Sequence, residues 1–172
     1  KLCHANAPWL FTAGEGYRQI ASLELLATLA AVLVFGVPVN MRSKMHCSAG
    51  TDNKGNSHVV ARLLTTKFPL AAFLMELAMQ LQCVGADLEL YWLPRLQNQE
   101  ADALTNNDLT RFDERLRMRF DLSTFKGLIL SDMLACGTEL YEEIRAAQGR
   151  KTHCHGQRGR KSDALRVAQP WG

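Results

Sequence analysis

Apolar positions run almost unbroken from Ile20 to Phe35, and their order predicts a helix over about 18–35. Ile20, Glu24, Ala27, Ala31 and Val34 fall on one 3.6-residue stripe, while Leu25, Leu29 and Val32 lie on the opposite face. A helix apolar nearly all round is expected to be covered on more than one side, with Ser22 interrupting it or facing solvent. A second helical region is read from about 57 to 82. It is kinked at Phe68-Pro69, because proline disfavours helical geometry in the residue before it, and Gly85 stops it. Two short strands are read, one near 44–48 and one over Leu88–Leu93, which Pro94 closes. Residues 98–106 form a helix start, with Asn98 as its cap and Glu100 and Asp102 in its first turns. Residues 1–17 read as loop with one short strand around Trp9–Thr12, and 107–121 as charged loop. Residues 122–147 read as amphipathic helix interrupted near Gly127 and Gly137. Helices alternating with strands define an α/β pattern.

The chain has 172 residues, 47% hydrophobic and 22% charged, which is one domain's worth of an ordinary globular composition. Its net charge of +3 hides a split. Residues 145–172 carry seven cations against Asp163 alone, leaving 13 basic and 16 acidic groups in the first 144 residues. From about residue 148 glycines and cations predict a disordered basic tail. Arg150, Lys151, Arg158, Arg160 and Lys161 suit sequence-independent phosphate contact; a solubilising end without a partner is the other reading. The longest apolar stretch, Leu25–Val39, is too short to span a bilayer and ends at Gly36 and Pro38, so no membrane partner is expected. Five cysteines without a CxxC pair read as reduced thiols of an intracellular protein. His153-Cys154-His155 lacks the spacing of a zinc site.

Three carboxylates stand in unusual places. Glu24 lies on an apolar stripe, where a charge is costly unless paired or metal-bound. Asp52 follows a strand and precedes a helix, a place equally suited to a turn or cap aspartate. Asp102 opens a later helix, where the helix dipole alone would favour it. Acids converging from different elements are what two-metal phosphoryl hydrolysis requires.

The segments Ile20-Ala-Ser-Leu-Glu24-Leu-Leu-Ala, Thr51-Asp52-Asn53 and Tyr91-Trp-Leu-Pro-Arg-Leu-Gln-Asn98-Gln-Glu-Ala101-Asp102-Ala-Leu-Thr resemble the ribonuclease H-like domain of retroelement reverse transcriptases. The last segment is similar to the end of such domains in long-terminal-repeat and tyrosine-recombinase retrotransposons. The resemblance covers roughly residues 9–106. It implies an incomplete ribonuclease H-like fold, a mixed sheet flanked by helices. Residues 1–106 would form the partial domain, 107–147 a helical extension and 148–172 the basic tail. It also implies that Glu24, Asp52 and Asp102 are catalytic ligands of two Mg2+ ions. The substrate would be the RNA strand of an RNA–DNA hybrid, and the upstream reverse transcriptase region of the same polyprotein would be a partner.

Two departures from the family stand out. Its first aspartate lies on a strand upstream of the glutamate helix, but no Asp precedes Asp52 here. The chain, which opens Lys-Leu-Cys-His, is therefore expected to lack the first strands and to be inactive alone. Cellular members carry a His in the loop before the closing aspartate; here Pro94 to Gln97 carries Arg95 instead. The alternative is a degenerate, non-catalytic remnant that acts at most as a nucleic-acid-binding or structural module.

Overall fold

The computed structural model describes residues 2–12, 14, 16–36, 45–125 and 127–153. The chain divides into two compact units, Lys1–Thr138 and Glu139–Gly172. In the first, a long apolar helix α1 (Ile20–Phe35) leads to strand β1 (Met45–Thr51), helices α2 (Lys54–Arg62) and α3 (Leu70–Val84), strand β2 (Ala86–Trp92) and helix α4 (Gln99–Thr105). Helix α5 (Leu130–His153) begins in the first unit, and the described part of the second unit is its continuation. The architecture is mixed helix and strand, α/β in the general sense. Among the described residues the expected mixed sheet is a parallel pair, in register from Met45 opposite Ala86 to Thr51 opposite Trp92.

The α1 stripe faces the other way from the core. Leu25 and Leu29 are fully buried, Ile20 is 58% exposed, and Ala27 and Ala31 are exposed. Ser22 is neither an interruption nor a surface residue; it is buried and its hydroxyl donates to Gln19 Oε1 at 3.3 Å. The core forms where α1 meets α3, around Leu25, Leu29, Phe73 and Leu77, and Trp9 sets its ring edge against Phe73 at 5.2 Å. Trp9 therefore belongs to a short 3-10 turn, Pro8–Phe11, and not to the expected strand, because a proline start favours that turn.

The second helical region is two helices, with Leu63 left-handed at the end of the first (φ 49°). Asn53 caps α2 by accepting from the backbone N–H groups of Gly55 and Asn56 at 2.9 and 3.2 Å. Gly85, at φ 66°, ends α3 as expected. Tyr91 and Trp92 are both exposed at the sheet's end. Asn98 holds the cap position of α4 without a side-chain capping bond.

Helix α5 is unbroken at Gly137 and runs through residues 148–153, where the tail was expected to begin. Glycine there serves packing: the Phe68 ring lies against Gly137, leaving no room for a Cβ atom. The entry to α5 is held by Glu76, a fully buried carboxylate on α3 that accepts from the Ile129 N–H at 3.0 Å and from Gln80 Nε2 at 2.7 Å. Among the described residues no helix is long and apolar enough to cross a membrane.

Candidate acidic site at the end of the parallel strands

A cavity of about 1170 Å³ opens between the outward stripe of α1, the whole length of β1, and α4. Its long wall is apolar, built from residues such as Ile20, Ala27, Ala31, Met45 and Cys47. Its far end lies where the parallel strands finish, the usual ligand side of such strands. Glu24, Asp52 and Asp102 all line it. The structure thus brings the three predicted carboxylates to one cavity from α1, the β1–α2 junction and α4, each of them half-buried.

Local structure explains each position. The parallel ladder extends past β1 through the Leu93 N–H, which donates to Thr51 O at 2.8 Å. Thr51 Oγ1 accepts from the Asn53 N–H at 3.2 Å, folding the chain sharply at Asp52. The Trp92 indole N–H donates to the Asp52 carbonyl at 3.2 Å and ties this turn to β2. The helix cap is Asn53, so Asp52 is not the capping aspartate it resembled.

Glu24 is held from across the fold. Asn53 Nδ2 donates to its Oε2 at 2.6 Å, and the buried Asn56 Nδ2 donates to the same oxygen at 3.3 Å and to Ala21 O at 2.9 Å. In that orientation Asn56 Oδ1 is buried with no hydrogen-bond partner. An orphaned acceptor costs stability, so the amide's service to two acceptors offsets that cost. Burial pushes the Glu24 carboxyl above the ordinary glutamate range; the Asn53 bond pulls it back, and the neighbouring Asp52 charge pushes it up again.

Asp102 has a cation of its own. Arg95 Nε donates to Asp102 Oδ2 at 3.1 Å, and the Arg95 guanidinium is held further in its charged form by Asp102 and, more weakly, by Asp52. Arg95 stands in the loop where cellular members of the resembled family carry a His. Asn53, Asn56 and Arg95 were not singled out as site residues. The Asn of Thr51-Asp52-Asn53 was the available signal for the first, and the cation seven residues before Asp102 for the last.

The donor set suits a hard cation. Magnesium takes carboxylate oxygens, uses one or two carboxylates and keeps several waters. Among the described residues no three His, Cys, Asp or Glu side chains stand close enough to share one ion, so the fit is to an ion held by one or two of these acids. His46 is remote from this chemistry; it meets Glu89 at 3.4 Å across the strands, on the exposed face. Of the basic residues proposed to contact phosphate, Arg150 and Lys151 fall in the backbone of α5, and Arg158, Arg160 and Lys161 lie outside the described residues.

No family model matches the chain, and neither a curated protein nor a solved structure matches it.

Proposed function

We propose that residues 1–106 are part of a ribonuclease H-like domain of a retroelement reverse transcriptase. Its complete form hydrolyses the RNA strand of RNA–DNA hybrids. One observation carries the reading: Glu24, Asp52 and Asp102 line one cavity at the finishing end of two parallel strands. Motif order and placement on one cavity are both features this chemistry needs. Bound magnesium would supply an activated water and charge neutralisation at the leaving 3′ oxygen. The chain's own part is to present oxygen donors. Asn53 and Asn56 fix the Glu24 carboxylate, the Thr51 turn presents Asp52, and α4 carries Asp102.

No aspartate precedes Asp52, so the upstream ligand of the family has no counterpart here, and residues 1–172 are expected to be inactive alone. A longer polypeptide that adds upstream strands with an aspartate is expected to cleave a labelled hybrid when magnesium is present. Asp52→Asn and Asp102→Asn should each abolish that cleavage. Full activity in either variant would refute the ligand assignment. Robust magnesium-dependent cleavage by residues 1–172 would show that another acid completes the site.

The Arg95–Asp102 ion pair favours a second reading. A carboxylate already matched by a cation is what a non-catalytic remnant would keep, with nucleic acid bound, if at all, through its basic residues. Hybrid binding without cleavage by the longer polypeptide would select this reading.

A further inference from the structure

Three carboxylates and a single cation, Arg95, line the described walls of the cavity, so the site keeps a surplus of two negative charges. That surplus repels a polyanion until it is cancelled. The placing of Arg95 shows how the cancellation can be coupled to substrate binding. Its backbone is fixed in a 3-10 turn, Arg95–Gln97, closed by the Gln97 N–H on Pro94 O at 2.8 Å and the Asn98 N–H on Arg95 O at 3.0 Å. Its side chain is 78% exposed, against 33% for Asp102. The contact runs through Nε to one carboxylate oxygen, not through the two-pronged fork that makes guanidinium–carboxylate pairs strong. An exposed single-contact pair is held weakly and exchanges readily. The anchor is hydrogen-bonded in a turn, and the charge at its end is exposed.

The geometry points to Arg95 as an exchangeable counter-ion, a positioning residue that sits on Asp102 in the cation-free protein and turns to a backbone phosphate once a divalent cation takes Asp102. This inference rests on the proposed cation-binding role of the acidic site. The exchange follows from charge alone. A divalent ion at Asp102 removes the attraction that holds the guanidinium and repels it. Arg95 is then a surplus cation at the cavity mouth, where its planar donors suit a phosphate. Metal and arginine compete for one carboxylate, and the arginine released by that competition becomes available to the strand being bound.

The test uses the whole 172-residue chain. Mn2+, a carboxylate-seeking stand-in for magnesium, is titrated calorimetrically at low ionic strength into the parent chain, Arg95→Gln, Arg95→Lys, Asp102→Asn and the Arg95→Gln/Asp102→Asn double variant. Arg95→Gln is expected to bind Mn2+ about two- to fivefold more tightly, the range set by exposed pairs, with Arg95→Lys between. In the Asp102→Asn background the Arg95 effect should vanish. With Mn2+ present, the salt dependence of RNA–DNA hybrid binding should lose about one phosphate's worth of slope in Arg95→Gln, which a purely structural role would not produce. Equal or weaker Mn2+ binding by Arg95→Gln, or an unchanged salt slope, would overturn the inference and leave the acidic site standing. No Mn2+ binding by either the parent or Arg95→Gln would overturn both.

Discussion

Asn53 Nδ2 donates to Glu24 Oε2 at 2.6 Å while Asn53 Oδ1 caps α2, so one side chain joins the start of α2 to the α1 carboxylate. The two duties can be separated. Asn53→Ala should lose about 1 kcal/mol from the missing cap, read by urea denaturation. Asn53→Ser keeps a capping oxygen but drops the bond to Glu24. Its stability should stay near that of the parent, while the Glu24 carboxyl titrates higher still in carbon-detected NMR. An unchanged Glu24 titration in Asn53→Ser would remove Asn53 from the site.

Glu24 makes stability depend on pH in a direction that can be derived. Its carboxyl is raised in the folded protein, mainly by burial, so the folded state holds the proton more tightly than the unfolded chain does. The associated stabilisation is complete below the ordinary carboxylate range, about pH 4, and is lost as pH rises through the folded value. Glu24→Gln removes that loss. Thermal melts should show the variant gaining on the parent as pH rises from about 4 to 7. Parallel curves would contradict this assignment.

Glu76 ties the start of α5 to the core, although neither end of that contact belongs to the acidic site. Glu76→Ala leaves the Ile129 N–H without its buried acceptor and opens a hole beside α3. A loss of about 2–4 kcal/mol is expected, with faster hydrogen exchange in residues 129–134. Glu76→Gln retains an acceptor oxygen and should cost less. Equal losses in the two variants would mean that packing, and not this hydrogen bond, holds the segment.

Gly137 carries a packing prediction. Alanine is the better helix former, yet its Cβ would enter the Phe68 ring, so Gly137→Ala should destabilise by about 1–3 kcal/mol. Pairing it with Phe68→Leu should recover part of the loss. Stabilisation by Gly137→Ala alone would show that the ring yields freely.

Legibility varied along the chain for physical reasons. The end of α1 was readable because Gly36 and Pro38 follow a continuous apolar run. Its buried face was not, because a helix apolar on every side has no polar positions to mark solvent; the choice is made by α3, through Phe73 and Leu77. Strand β1, Met-His-Cys-Ser-Ala-Gly-Thr, has little hydrophobic signal, and its full length emerges only from pairing with β2. Gly137 read as a break because local propensity carries no information about Phe68. Glu76 sits in a strongly helix-forming stretch, and nothing nearby in sequence announces Ile129 as its partner. Each acidic residue had an ordinary local explanation; their order suggested one site, and the fold brings them to one cavity. Arg95, the cation among them, was noted only as the residue standing where the family has a His.

The cavity lined by Glu24, Asp52 and Asp102 is proposed to bind a divalent cation through one or two of these acids. Paramagnetic broadening by substoichiometric Mn2+, mapped over the assigned NMR spectrum of the 172-residue chain, tests it most directly. Broadening is expected to centre on one or two of these three acids and on their neighbours Asn53 and Arg95. Excess Mg2+ should reverse it, and Asp52→Asn should weaken it. Broadening centred on other carboxylates, such as Glu142 and Glu143 of α5, or no broadening at any of the three acids, would refute a cation site in this cavity.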